Sequence, residues 1–160
     1  MTNLYANPYD ISQSGFYFET PEQFHEKMDA APYEEVEIDY IDGQNPRLFA
    51  EAGINQSNID SWFDELEHID DHEDKAIAIR YLLETGYDLE EAIAKHEDVM
   101  IWRGTARDYA AELIEQTTDI NGLGWLANYI DYEAIARDMQ LNSEISEIEY
   151  DVWVTNCQNF

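Results

Sequence analysis

Carboxylates are the most numerous side chains in this sequence that could carry chemistry. The chain holds 36 Asp and Glu against eight Lys and Arg, a formal net charge of −28 over 160 residues. Carboxylates can act as general acids and bases, ligate metal ions or form a negatively charged surface. Closely spaced acids occur along the whole chain, so a pair of them does not by itself identify a hydrolytic site.

Two patterns between His68 and Lys75 resemble metal sites. His68 and His72 have the spacing of two ligands on one helix face, but the intervening Ile-Asp-Asp lacks the glutamate of a metalloprotease, and a helix boundary is predicted between them. Glu73-Asp74-Lys75 resembles the Glu-x-Lys of metal-dependent nucleases, yet it opens a helix, and the negative surface would repel substrate DNA. A metal-dependent hydrolase is kept as a remote alternative.

Other catalytic and ligand-binding patterns are incomplete. The single cysteine, Cys157, excludes an internal disulfide and a cysteine-based zinc site. The segment from Asp39 to Gly43 lacks calcium-loop spacing, and Gly122-Leu123-Gly124 is too short to cradle a phosphate. We therefore predict no catalytic residue, no cofactor and no metal, and hence a protein that is not an enzyme.

The carboxylates instead predict a collective, partner-binding acidic surface. Few of them can find a partner among eight cations, and many fall on helix faces opposite the apolar stripes. Duplex DNA carries one charge per about 1.7 Å, so 28 charges match about 48 Å of duplex, on the order of 14 base pairs. Without a basic patch the chain should not bind nucleic acid itself. The candidate surface residues are Asp60, Asp64, Glu65, Glu67, Asp70, Asp71, Glu73, Asp74, Glu90, Glu91, Glu97, Asp98, Glu112 and Glu115.

The apolar content predicts a folded protein. Hydrophobic residues make up 44% of the chain and aromatic residues 13%, whereas disordered acidic chains are poor in both. No apolar run is long enough to span a membrane, and residues 1–10 lack the pattern of a secretory signal. These features predict a cytoplasmic protein without a membrane segment.

Three segments with different periodicities predict an elongated α+β chain of three small domains. Residues 1–55 combine a strand at 16–18, a helix capped by Thr20 and ended by Pro32, and an alternating strand from Val36 to Tyr40. Residues 56–98 are predicted to be helical, with helices at 57–69, 71–85 and 88–96, the second capped by Gly86.

Residues 99–160 return to mixed structure. They combine a strand at 99–102, a helix capped by Thr105, a helical segment over 125–139 interrupted near Asp131, and a strand from Ile148 to Val154. The sequence therefore predicts a third, α+β domain at the end of the chain.

Residues 125–139, WLANYIDYEAIARDM, resemble the signature of the ArdA family of antirestriction proteins, which carries Tyr-x-Asp-Tyr-Glu followed by Arg-Asp. The matching positions are Tyr129, Asp131, Tyr132, Glu133, Arg137 and Asp138. Length, acidity and the order of the three segments are also similar.

The resemblance implies an elongated, curved homodimer that imitates bent duplex DNA and occupies the DNA groove of type I restriction and modification complexes, formed by their specificity and methyltransferase subunits. Such proteins are carried by mobile genetic elements. The signature helix would lie near the dimer contact, which makes Trp125, Tyr129, Tyr132 and Ile135 candidates for that interface or for ordinary helix packing. A DNA mimic aimed at a CRISPR effector or nucleoid protein shares every sequence feature and stays open as the alternative.

Overall fold

The computed structural model describes residues 1–160, which divide into two compact units, Met1–Ala94 and Lys95–Phe160. Each unit combines helices with a three-stranded antiparallel sheet, so the predicted α+β class is confirmed. The division into three domains after residues 55 and 98 stays a prediction.

The sheet of the first unit has the order β2-β1-β3. Its strands are β1 (Asn3–Pro8), β2 (Phe16–Phe18) and β3 (Val36–Asp42). β3 follows the predicted alternation, with Val36 and Ile38 buried and Glu37 exposed. The central strand β1 has no counterpart among the sequence predictions, because Asn, Ala and Pro interrupt its apolar residues.

Helix α1 (Pro21–Ala30) begins as the capping pattern predicts. The Thr20 hydroxyl accepts a hydrogen bond from the backbone N–H of Gln23 at 3.2 Å. The helix ends because Ala31, which precedes Pro32, has an extended backbone that a following proline favours. Phe24 is the buried residue of this helix, and its ring lies 4.9 Å from that of Phe18.

The remaining helices of the first unit follow β3. They are α2 (Pro46–Glu51), α3 (Ile59–Ser61), a π-helical turn (Trp62–Leu66), α4 (Asp74–Thr85) and α5 (Leu89–Lys95). The 3-10 turn that follows (His96–Asp98) belongs to the second unit. The helix predicted over 57–69 is therefore shorter and widens at Trp62. Trp62, Phe63 and Leu66 of this turn all lie in the core, at 9% exposure or less.

Asn45 connects β3, α2 and the π-helical turn from a fully buried position. Its side-chain amide donates to three backbone carbonyl oxygens, those of Leu66 at 2.9 Å, Glu67 at 3.2 Å and Ile69 at 2.9 Å. These carbonyls lie at and just after the end of the π-helical turn, where the Leu66 carbonyl also accepts from the N–H of Ile69 at 3.0 Å, so Asn45 and the backbone together satisfy this helix end.

Helix α4 is the most buried helix of the first unit, with seven consecutive buried residues from Ala76 to Leu82. Arg80 is among them at 1% exposure, and its Nε lies 2.6 Å from Glu51 Oε2. The predicted C-terminal cap is confirmed, because Gly86 has φ 106° in the left-handed region. The predicted start at Asp71 is wrong, since the helix begins at Asp74.

The second unit places two helices against a sheet of order β4-β6-β5. Its elements are β4 (Ile101–Arg103), α6 (Ala106–Thr117), a 3-10 segment (Asn121–Tyr129), α7 (Tyr132–Leu141), β5 (Ser146–Glu149), β6 (Val152–Val154) and a 3-10 turn (Cys157–Asn159). The core residues are Ala106, Ala110, Ala136, Met139, Ile145 and Trp153. Three of the six are alanines, which lets α6 and α7 approach closely.

Two sequence predictions for the second unit need correction. The single strand predicted from Ile148 to Val154 is wrong, because a turn at Tyr150 and Asp151, the latter with φ 55°, makes it a hairpin of β5 and β6. The helical pattern from Trp125 is a 3-10 segment, not an α-helix, before the break. The predicted cap is confirmed, since Asp131 Oδ1 accepts from the N–H of Ala134 at 2.9 Å.

Candidate functional site

Most of the acidic residues predicted to bind a partner lie on the surface. Twelve of the fourteen are exposed, while Glu67 and Asp71 are partly buried. The exposed members are Asp60, Asp64, Glu65, Asp70, Glu73, Asp74, Glu90, Glu91, Glu97, Asp98, Glu112 and Glu115. Their carboxylates face solvent and are available to a partner.

The two partly buried acids hold the backbone of the first unit. The Glu67 side chain is 9% exposed, and its Oε1 accepts from the N–H of Thr2 at 2.6 Å. The Asp71 carboxylate accepts from the N–H groups of Arg47 at 3.1 Å and Leu48 at 2.8 Å, which begin α2. Asp71 therefore stabilises the start of α2, instead of the first turn of α4 where the sequence pattern placed it.

Several exposed acids have local hydrogen bonds as well. Asp88 and Glu91 form the predicted capping box, with N–H to carboxylate distances of 2.8 and 3.3 Å. The pKa of Asp10 lies below its usual value because the hydroxyl and N–H of Ser12 donate to its carboxylate. Such contacts hold these side chains in fixed positions.

The few cations are largely engaged within the protein and do not form a patch. Arg47 lies 2.9 Å from Glu51, Arg107 3.3 Å from Asp108, and Arg137 3.7 Å from Asp138. Lys27 Nζ donates to the carbonyl of Tyr17 at 2.7 Å. With its cations used this way, the protein presents a surface dominated by uncompensated negative charge.

The charge is divided unequally between the two units. The first holds 23 acidic and four basic residues, a net charge of −19, and the second holds 13 and four, a net charge of −9. Sequence reasoning included no acid before residue 60 in the surface, although Glu19, Glu22, Glu26 and Asp29 are exposed around α1. These acids flank or occupy the polar face of α1, opposite the buried Phe24, and this amphipathic pattern in the sequence could have identified them.

The signature residues surround the break between the 3-10 segment and α7. Trp125 and Tyr129 are 70% and 76% exposed, and their rings meet edge to face at 5.7 Å. Asp131, Glu133, Arg137 and Asp138 are exposed, whereas Tyr132 and Ile135 are half-buried. Ile135 packs on the core of the second unit. The guanidinium of Arg107 lies 5.7 Å from the Tyr132 ring.

Residues 120–130 form an uncharged surface segment, INGLGWLANYI, the longest run without a charge in the chain. Leu123, Trp125, Leu126 and Tyr129 within it are all exposed, from 38% to 76%. Gly124 has φ 57° and ψ −128°, a conformation that a side chain would strain, so glycine is required at this bend. An apolar surface of this kind is typical of a contact with another protein.

Histidine and acid groups do not come together in metal-binding geometry. No group of three or more His, Cys, Asp or Glu side chains is arranged to hold a metal ion. His68 lies 3.8 Å from Glu67, and the N–H of His72 donates to Asp70 Oδ1. No helix is both long and apolar enough to cross a membrane.

Comparison with known proteins identifies one family. The model of the antirestriction protein family ArdA matches residues 12–154 of the 160. Among curated proteins and among solved structures the comparison finds no significant match. The match covers both compact units and includes the signature around Asp131. The chain therefore belongs to the ArdA family of antirestriction proteins.

Proposed function

We propose that this protein inhibits a type I restriction and modification complex without chemistry, by occupying the groove that binds duplex DNA. One observation carries the proposal: twelve predicted acids are exposed, while the cations are largely paired within the protein. A groove that binds DNA is lined by Lys and Arg that contact phosphates. An uncompensated array of carboxylates would attract the same side chains.

The proposed target is the assembly of specificity and methyltransferase subunits, since these hold the DNA. Negative charge on the inhibitor steers association with a basic groove and aligns the two surfaces. Its residues would act collectively, because each exposed carboxylate contributes little on its own in a high-dielectric setting.

A homodimer is part of the proposal, with the uncharged segment 120–130 as its contact. Two copies of a chain with a net charge of −28 repel each other, and repulsion is least where no charged residue stands. Trp125 and Tyr129 offer the exposed aromatic surface that interfaces favour. Tyr132 and Ile135 would then support the contact from the start of α7.

Competition with DNA can be tested with a purified type I complex. The inhibitor should lower both cleavage and methylation of a target duplex, and the inhibitor concentration that gives half inhibition should rise linearly with the DNA concentration. Raising salt from about 0.05 to 0.5 M should weaken capture of the complex, because the Debye length falls well below 10 Å over this range.

Three outcomes would contradict the proposal. Inhibition that DNA does not relieve would exclude competition for the groove. Inhibition lost on adding a chelator and regained with a metal would favour a metal-dependent hydrolase. Capture of a CRISPR effector or nucleoid protein, with no effect on the type I complex, would support a mimic aimed at a different partner.

A further inference from the structure

A cleft of about 580 Å³ opens in the first unit between the start of α1 and the π-helical turn. This volume lies within the range of about 300 to 1,000 Å³ that is usual for ligand pockets. Apolar side chains of Pro21 and Phe63 form part of its wall. Four carboxylates also line it, those of Glu19, Glu22, Asp64 and Glu67. The cleft therefore offers both apolar and charged contacts, whereas a flat acidic surface offers charged contacts alone.

Only one of the two carboxylate oxygens of the buried acid Glu67 accepts a hydrogen bond. Glu67 is only 9% exposed, and the charged groups near it are the Met1 amine, 3.8 Å from Oε1, and His68 Nε2, 3.8 Å from Oε2. Only one hydrogen bond reaches its carboxylate, from the N–H of Thr2 to Oε1. A buried carboxylate oxygen without a donor is costly, so Glu67 Oε2 would gain from a group that brings N–H donors and positive charge into the cleft.

The N-terminus of α1 repels a cation only weakly. A helix N-terminus carries a charge of about +0.5 and attracts anions through its free N–H groups. Here four carboxylates outweigh both the helix end and the Met1 amine, which also lines the cleft, and the Thr20 hydroxyl already accepts from the N–H of Gln23. The cleft is therefore suited to a cation and not to a phosphate.

We propose that this cleft receives an arginine side chain of the basic protein that the acidic surface engages; that partner's identity rests on the proposed function. Arginine combines an apolar stem with a planar guanidinium that stacks on apolar surface and donates several N–H groups at once. The stem would lie along Phe63 and Pro21 while the guanidinium meets the carboxylates of Glu22 and Glu67. The cleft thereby adds one specific contact to a surface that otherwise acts collectively.

A small probe tests the cleft without any partner protein. N-acetyl-arginine amide is titrated into the ¹⁵N-labelled full chain at low salt, with N-acetyl-citrulline amide as the uncharged match. Arginine should shift the amides of Thr20, Glu22, Phe63 and His68 first, and citrulline should shift none of them. Equal shifts with both probes, or arginine shifts spread evenly over the acidic surface, would overturn the inference.

Matched variants test the cleft within the complex. Glu19→Gln with Glu22→Gln removes two charges at the cleft, and Glu26→Gln with Asp29→Asn removes two exposed charges farther along α1. We expect about tenfold weaker inhibition and probe binding for the first pair, the scale of one lost charge-assisted contact, and less than about threefold for the second. Equal losses would overturn the cleft while leaving the proposed function intact. Absence of inhibition by the unchanged protein would overturn the proposed function, and the probe titration would still decide the cleft.

Discussion

The two compact units differ in what they present to solvent. The first carries a net charge of −19 and buries most of its large apolar residues around α4 and Trp62, whereas the second carries −9 and exposes the uncharged segment 120–130. Seven exposed large apolar residues belong to the 66 residues of the second unit, against five in the 94 residues of the first. Under the proposed function, the difference predicts a division of labour, in which the first unit would imitate phosphate charge and the second would hold two copies together.

Removing charge from each unit in turn should separate the two roles most strongly. Changing Asp60, Glu65, Asp70, Glu73, Asp74 and Glu90 to amides should weaken inhibition about 1,000-fold, if each contact contributes about 0.7 kcal/mol. The matched change in the second unit replaces Glu97, Asp98, Asp108, Glu112, Glu115 and Asp119, all exposed as well. We expect a loss of about 30-fold there, measured as inhibition constants for DNA cleavage. Equal losses would mean that total charge alone decides inhibition.

A charge placed in segment 120–130 should break the proposed dimer. Trp125→Glu removes an exposed aromatic side chain and adds repulsion between two copies, so the dimer dissociation constant should rise about 100-fold. Sedimentation velocity measures it, and Leu141→Glu, also at an exposed residue of the second unit, serves as the control. A dimer unaffected by Trp125→Glu would place the contact elsewhere.

The first unit should be unusually sensitive at Asn45. Asn45→Ala removes three hydrogen bonds of a fully buried side chain, although the Leu66 carbonyl keeps the N–H of Ile69 as a donor. The change should lower the free energy of unfolding by about 2 kcal/mol. Urea denaturation measures the change. Asn55→Ala, which alters an exposed turn, should cost less than about 1 kcal/mol. Equal losses of unfolding free energy for the two variants would show that the Asn45 amide contributes no more to stability than an exposed side chain.

Added salt should stabilise the first unit more than the second, and this is the smallest effect among the predictions. Self-repulsion is greater in the unit with a charge of −19, so screening at about 0.5 M salt should raise its opening free energy by about 1 kcal/mol and that of the other unit by less. Hydrogen exchange of the full chain, read separately for residues 1–94 and 95–160, measures both. An equal rise in opening free energy for both units would contradict the idea that self-repulsion destabilises the more highly charged unit more.

Local rules predicted much of the secondary structure because the signals act over a few residues. Thr20, Gly86, Thr105 and Asp131 cap their helices as expected, since a cap depends on a side chain and the next turn of backbone. The hairpin at Asp151 escaped prediction, because an alternating pattern continues through a turn that only φ > 0° reveals.

The acidic surface residues could be predicted from the sequence wherever exposure to solvent is all that their proposed role requires. Twelve of the fourteen acids are exposed because an ionised carboxylate is costly to remove from water. Glu67 and Asp71 are exceptions, since their partners Thr2, Arg47 and Leu48 lie more than twenty positions away in sequence. No local pattern encodes a contact between residues so far apart. The cleft beside Glu67 could not be predicted from the sequence for the same reason.

The fully buried amide of Asn45 has a consequence for how this sequence can diverge. Exposed carboxylates that act collectively can be exchanged, lost and regained at neighbouring positions, as long as the total field persists. Asn45 has no such freedom, because few other side chains could donate to three carbonyls from the same buried position. Relatives of this chain should therefore vary most where a partner binds and least at a residue that no partner can reach.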